Sequence, residues 1–203
     1  MKDSPSECLN EALTAFSRGD EDAMKEVLER SKSDPSKGGL LINEALQEGH
    51  TELARSLHKA GVELDVLAAA GVGEIDTLAD FFDNSNNLRI SDDKLIEFGT
   101  MEMTKFLAKP LTVACKNGQM EAAFFLIKKG ADINLFILDE DDVEASGLHW
   151  AARYGHYELV KFLINYGARI YSKDTRDSLT PAEWAEREGH EQISQYIKFL
   201  EQR

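Results

Sequence analysis

The residues of this 203-residue chain that could do chemistry are five histidines, two cysteines and one dense acidic run. His149, in Leu148-His149-Trp150, could act as a general base, but no nucleophile and base are set together anywhere in the chain. His50, His156 and His190 each follow a glycine. In repeated units they would form a row, but packed helices lie about 10 Å apart, too far for shared metal bonds of roughly 2 Å. His58 stands alone. The run Asp139-Glu140-Asp141-Asp142-Val143-Glu144 invites a calcium reading. An EF-hand loop needs glycine at its sixth position, and the sixth residue here is Glu144, so the run reads as a solvated loop or a contact for a basic partner. Cys8 and Cys115 are far apart and lack metal-type spacing, as expected of free thiols in a reducing compartment. Nucleophile-elbow, phosphate-loop and zinc-protease motifs are all missing. Gly71-Val72-Gly73 is too short for a dinucleotide fingerprint. The expectation is no catalytic residue, no metal and no cofactor.

The elements that must position these residues emerge from a repeat. Gly155 has Ala151 four residues before it and Gly167 twelve after; Gly118 has Ala114 and Gly130, and Gly49 has Ala45 and Gly61, at the same offsets. Gly19, Gly73 and Gly189 keep the alanine with Ala15, Ala69 and Ala185. Steps between anchors are 30, 24, 45, 37 and 34 residues, so the helix pair is constant while the connection varies. In the best unit, Ser146–Ile170, Leu148, Ala151 and Ala152 share one helical face, and Leu159, Val160, Leu163 and Ile164 form the next. One short helix pair cannot bury both faces, so the units must stack. Residues 10–38 read as an N-terminal cap-like unit, with Asp34 to Gly39 as a loop by composition. Residues 88–108 read as an insertion, with a short helix after Ser91 capped there and helical turns near Met101 to Ala108. Residues 180–203 read as a C-terminal cap-like unit, and 1–203 as a single domain. Cys115 occupies the slot of Ala152, so burial as a small hydrophobe is expected.

Formal net charge is −14. Such a chain repels phosphate backbones, which disfavours nucleic acid as a partner. The first residues carry acids where a signal peptide needs an apolar core, and no apolar run reaches the roughly 18 residues of a membrane span. A cytoplasmic protein without a membrane partner is expected.

Ser146-Gly147-Leu148-His149-Trp150-Ala151-Ala152 followed by Gly155-His156 resembles the opening of the ankyrin repeat, T-P-L-H-x-A-A and then G-H. Thr180-Pro181-Ala182-Glu183-Trp184-Ala185 with Gly189-His190 matches in part. Lys109-Pro110-Leu111-Thr112-Val113-Ala114 with Gly118, then Gly130-Ala131-Asp132, matches best in its second half. The phrase GLHWAARYGH is similar in style to ankyrin proteins of bacteria. The first three units lack the opening, Thr112 and Glu183 replace the histidine, and Ala145 and Asp177 stand near the place of the usual pre-turn glycine.

The resemblance implies an all-α fold, an ankyrin-repeat solenoid of about six stacked helix pairs with short or irregular hairpin loops. It implies that His149 bonds turn backbone and ties repeats together. It implies that the slot of Trp150 and Trp184, with the two residues before each turn glycine, faces a concave groove. The candidate partner-binding residues are therefore Trp150, Arg153, Tyr154, Trp184, Arg187, Lys116 and Asn117, with Asp139, Glu140, Asp141 and Asp142 beside them. The alternative for the two indoles is burial between adjacent repeats. The function expected is non-enzymatic protein–protein interaction by a monomer, with a basic partner favoured by charge. An acidic inhibitor mimicking nucleic acid on a basic target, or a regulatory domain of an enzyme system, are the alternatives.

Overall fold

The computed structural model describes residues 5–33, 35–83, 89, 103–138 and 142–202. It is an all-α stack of helix pairs. The pairs are α1 (Pro5–Arg18) with α2 (Glu21–Ser33), α3 (Pro35–Gln47) with α4 (Thr51–Lys59), and α5 (Val66–Val72) with α6 (Ile75–Asp80). After a single turn, α7 (Met103–Phe106), come α8 (Ala108–Lys116) with α9 (Met120–Lys128). Strands β1 (Ile137–Leu138) and β2 (Glu144–Ala145) lead to α10 (Gly147–Arg153) with α11 (Tyr157–Asn165), then α12 (Pro181–Arg187) with α13 (Glu191–Glu201). First helices stack on first helices, α1 through α12 in order, and second helices line the other side.

The six anchor glycines all have positive φ, from 64° at Gly19 to 89° at Gly73. At Gly155 (φ 78°) the left-handed break lets the His156 N–H reach back to the Ala151 carbonyl at 3.0 Å, closing the helix end. A Cβ there would also lie 2.6 Å from Cε1 of His190, so the same glycine admits the next unit's histidine.

Asp34 to Gly39, expected as a loop, is corrected by the structure: Pro35 to Gly39 are the first turns of α3, with Asp34 outside the described residues. A proline is tolerated in a first helical turn because its missing N–H would have no intrahelical partner. Gly38 is buried, and packing of α3 against α1 and α2 overrides the poor helix propensity of two glycines. The short helix expected after Ser91 lies outside the described residues.

The third unit pinches the stack. Helix α5, Val-Leu-Ala-Ala-Ala-Gly-Val, is all small or branched. A Cβ at Gly71 would fall 2.7 Å from Leu46 Cδ1 and 2.8 Å from Val113 Cγ1, so α3 and α8 close over a residue without a side chain. The second unit thereby reaches the fourth: Asn117 Nδ2 donates to the Leu46 carbonyl at 3.0 Å, and Thr51 Oγ1 donates to Asn117 Oδ1 at 2.8 Å. Two large apolar clusters result. One is built on Ile42, Leu46, Leu53 and Leu57, the other on Leu78, Leu111, Leu126, Leu148 and Leu163, with Leu64 packed against both.

Candidate functional site

The ridge of the last three units is built on two helix starts. Ser146 precedes α10, and His149 three residues on is fully buried. His149 Nδ1 accepts from the Ser146 N–H at 3.3 Å and lies 2.8 Å from Ser146 Oγ. Its Nε2 then carries the proton and donates to the Ser172 carbonyl at 3.1 Å. The ring thus ties the turn of its own unit to the connection of the next, as the resemblance implied. Burial pushes its pKa down to about 4 against the smaller opposing pull of Asp174 and backbone acceptors, so it is a neutral strut. Glu183 fills the same slot in α12 with a carboxylate version: it accepts from the Thr180 N–H at 2.7 Å, and Thr180 Oγ1 accepts from the Glu183 N–H at 3.3 Å. Cys115 is buried against Gly147, and burial pushes its thiol pKa well up.

The connections are irregular in a specific way. Strands β1 and β2 pair antiparallel, Ile137 with Ala145 and Leu138 with Glu144. Glu144 in turn bonds Thr175, its N–H donating to Oγ1 at 3.0 Å while its carbonyl accepts from the Thr175 N–H. Positive φ falls on Asp142 (57°) and Ser178 (56°) rather than on a glycine. Asp174, which sequence reasoning missed, organises the second connection. Its carboxylate accepts from the N–H groups of Arg176, Asp177 and Leu179 at 2.7–3.0 Å, and from Trp184 Nε1 at 2.7 Å. Burial opposes its ionisation, but these four donors outweigh burial and lower its pKa. The signal was an aspartate opening a turn, Asp174-Thr175-Arg176-Asp177, upstream of Thr180-Pro181.

The indoles pack between repeats. Trp150 and Trp184 are each 2% exposed, in a cluster with Val143 and Ala145. Their rings meet edge-on at 5.1 Å; His149 adds a third ring 5.3 Å from Trp184, and Tyr154 stacks on Trp150 at 6.3 Å. Trp150 Nε1 is buried without a hydrogen-bond partner among the described residues.

The outward groups are cations resting on that floor. Arg153 Cζ lies 5.5 Å from the Trp150 ring and 5.5 Å from the Trp184 ring, with its Nε 3.4 Å from Glu188. Arg187 Cζ lies 5.8 Å from Trp184, and its guanidinium pairs with Asp177 at 2.8 Å. Lys116 Nζ sits 4.6 Å from the Trp150 ring. Tyr154 reaches the turn of the second unit, where a Cβ on Gly49 would touch its ring at 3.4 Å. Asn117 is buried and holds the second and fourth units together, so its amide faces protein. Asp139, Glu140 and Asp141 lie outside the described residues; Asp142 is exposed. Among the described residues no group of three or more His, Cys, Asp or Glu could hold a metal ion.

A family model for ankyrin repeats, in three copies, matches residues 13–174 and 111–201. The chain belongs to the ankyrin repeat family. Ankyrin repeats generally serve as protein-interaction modules. Similar curated proteins include the human ankyrin repeat and KH domain-containing protein 1, 44% identical over 62 residues, which is 30% of this chain and 2% of that protein. Palmitoyltransferase AKR1 of Lachancea kluyveri is 31% identical over 108 residues, 53% of this chain and 14% of its own length. The ARF GTPase-activating protein Git of Drosophila melanogaster is 27% identical over 111 residues, 55% and 14%. This ankyrin chain therefore spans a small part of each relative. No helix among its described residues is long and apolar enough to cross a membrane.

Proposed function

We propose that this ankyrin chain is a non-enzymatic protein-binding module that holds its partner on the ridge of Lys116, Arg153, Tyr154 and Arg187, beside the hairpin loop around Asp142. The observation carrying this reading is Arg153, whose guanidinium rests on two buried indoles while remaining partly open to solvent. A cation held over aromatic rings loses less freedom on binding than a free one, and arginine over tryptophan is typical of interface hot spots. The indoles serve as a rigid floor and the cations as the contact.

Charge supports a partner with a basic segment over the first units. Residues 1–100 carry ten Lys and Arg against twenty-one Asp and Glu, while residues 101–203 carry thirteen against sixteen. Steering of a basic segment toward the acidic half raises the on-rate.

The test is quantitative affinity capture from a lysate of the source cells, comparing wild type with the Arg153→Glu, Arg187→Glu variant. The expected result is selective loss of a reproducible partner while helical circular dichroism is unchanged. Equal recovery of every captured protein would remove the ridge from the reading. Turnover in an activity screen that His149→Gln abolishes without unfolding would remove the non-enzymatic part.

A further inference from the structure

Asn117 is the one asparagine of the chain that precedes a glycine. In an Asn-Gly pair no Cβ shields the glycine nitrogen, which can attack the asparagine side chain, so the pair is a labile one. The fold demands both residues. Gly118 has φ 70°, and a Cβ there would lie 2.7 Å from His156 Nδ1, so the fifth unit closes over a residue without a side chain. Asn117 must donate and accept at once. Its Nδ2 donates to the carbonyls of Leu46 and Val113, both at 3.0 Å, and its Oδ1 accepts from Thr51 Oγ1 at 2.8 Å. An ionised aspartate only accepts and cannot replace the first two bonds. Two separate packing requirements thus set a labile dipeptide where the second, fourth and fifth units meet.

The closed stack also holds the pair unreactive. Asn117 is 7% exposed, which keeps water and base from it. At ψ 8° the Gly118 nitrogen nearly eclipses the Asn117 nitrogen and is turned away from Cβ, whereas ring closure needs it beside Cβ. The Gly118 N–H is engaged by the Cys115 carbonyl at 3.4 Å. The main chain of Asn117 is held too: Gln119 Nε2 donates to its carbonyl at 3.0 Å, and Arg55 of α4 donates to Gln119 Oε1 at 3.1 Å. Turning ψ into the reactive range therefore breaks contacts between the second and fourth units, so reaction requires the pinch at Gly71 to open.

We propose that Asn117 is a deamidation site gated by this pinch, and that its modification holds the pinch open. In the opened state the Gly118 nitrogen gives its proton to hydroxide and attacks Asn117 Cγ. A new C–N bond closes a succinimide ring, the bond from Cγ to Nδ2 breaks, and ammonia leaves with a proton returned from water. Water then opens the ring at Cγ, giving aspartate, or at the Asn117 main-chain carbonyl carbon, giving isoaspartate. The net change is amide plus water to acid plus ammonia, with no redox step. Neither product re-forms the junction. A carboxylate there faces the Leu46 and Val113 carbonyl oxygens without a donor, and only Thr51 still bonds it. Isoaspartate also lengthens the main chain just after α8. The site is independent of the cationic ridge, so the two readings fail separately.

The test incubates the whole chain in mildly alkaline buffer, folded and in urea, and follows the amide-to-acid mass change by peptide mapping. In urea Asn117 is expected to react before any other asparagine, and at least about tenfold faster than in the folded protein. Thr51→Val keeps the Asn-Gly pair and removes one bond of the junction, so it is expected to speed the folded reaction about three- to tenfold. Ile197→Ala opens the fully buried core of the sixth unit and is expected to leave the rate at Asn117 unchanged. Asn117→Asp supplies the product directly. By hydrogen exchange it is expected to open α3 and α8 at least about tenfold more often while α12 and α13 exchange as in wild type. The proposal is overturned if another asparagine reacts first in urea, or if the folded protein reacts as fast as the unfolded one. It is equally overturned if Thr51→Val changes nothing, if Ile197→Ala accelerates the reaction as much, or if Asn117→Asp exchanges as wild type does.

Discussion

Trp184 and Asp174 are joined by a buried hydrogen bond, indole Nε1 to carboxylate Oδ2 at 2.7 Å. Trp150, in the equivalent slot one unit earlier, is just as buried, yet its Nε1 has no acceptor among the described residues. Replacing either by phenylalanine removes similar volume. Only Trp184→Phe also takes a donor from a buried carboxylate, whereas Trp150→Phe removes a donor that was desolvated without return. Trp184→Phe is therefore expected to cost about 2 kcal/mol more than Trp150→Phe. Urea unfolding of the two variants checks this; equal costs would mean that the Trp150 N–H has an acceptor in solution.

His149 makes stability depend on pH. Its folded pKa of about 4 lies below the ordinary value of 6.5 because burial disfavours the imidazolium. The unfolded chain therefore takes up a proton first. The contribution is present above the unfolded value and is lost as pH falls from 6.5 through about 4, amounting to about 3 kcal/mol in full. Asp174, also held below its ordinary value, adds loss in the same direction at lower pH. His149→Gln is expected to lower stability at pH 7 but to flatten the change between pH 6.5 and 4. A His149 imidazole signal, assigned by its loss in His149→Gln, that titrates near 6.5 in the folded protein would contradict the neutral strut.

Gly71 carries the close approach of the second and fourth units. A side chain there meets Leu46 and Val113 at under 3 Å, and Leu46 is fully buried. Gly71→Val is expected to destabilise by about 1–3 kcal/mol through overpacking. Because the clash is with Leu46, the Gly71→Val, Leu46→Ala pair should cost less than the sum of its parts. Simple additivity would show that α3 and α8 do not meet over Gly71.

The repeat itself was legible because the residues that define it act locally. Gly155 must enter the left-handed region, Ala151 must let helices approach, and Thr180-Pro181 must start α12; each requirement is visible in one short window. What the windows hid depends on contacts between distant segments. Pro35 to Gly39 have loop composition, and only packing against α1 and α2 makes them helical. Asn117 looked like a groove-edge residue until Leu46, seventy-one positions away, closed on it through the pinch at Gly71. The slot shared by Trp150 and Trp184 was legible, but its depth was not. That depth depends on Val143 and Ala145 returning from the hairpin and on Asp174 reaching in from the next connection.

The depth of the indoles determines which variants can report on partner binding. Trp150→Ala empties a fully packed site and is expected to cost about 3–5 kcal/mol, so any partner it loses could be lost through unfolding. Arg153 and Arg187 act differently. Each makes a half-exposed ion pair, to Glu188 and Asp177, of a kind worth about 0–1 kcal/mol, and a contact over an indole worth about 0.5–1 kcal/mol at an exposed site. Removing both side chains to alanine should therefore lower stability by about 1–4 kcal/mol in all and leave the helical signal intact. If the ridge is the contact surface, the same change weakens a captured partner by at least about tenfold, since arginine hot spots commonly exceed 1.4 kcal/mol. Isothermal titration calorimetry beside thermal unfolding separates the two effects. A partner that binds the double-alanine protein as tightly as wild type does would place its contact away from these cations.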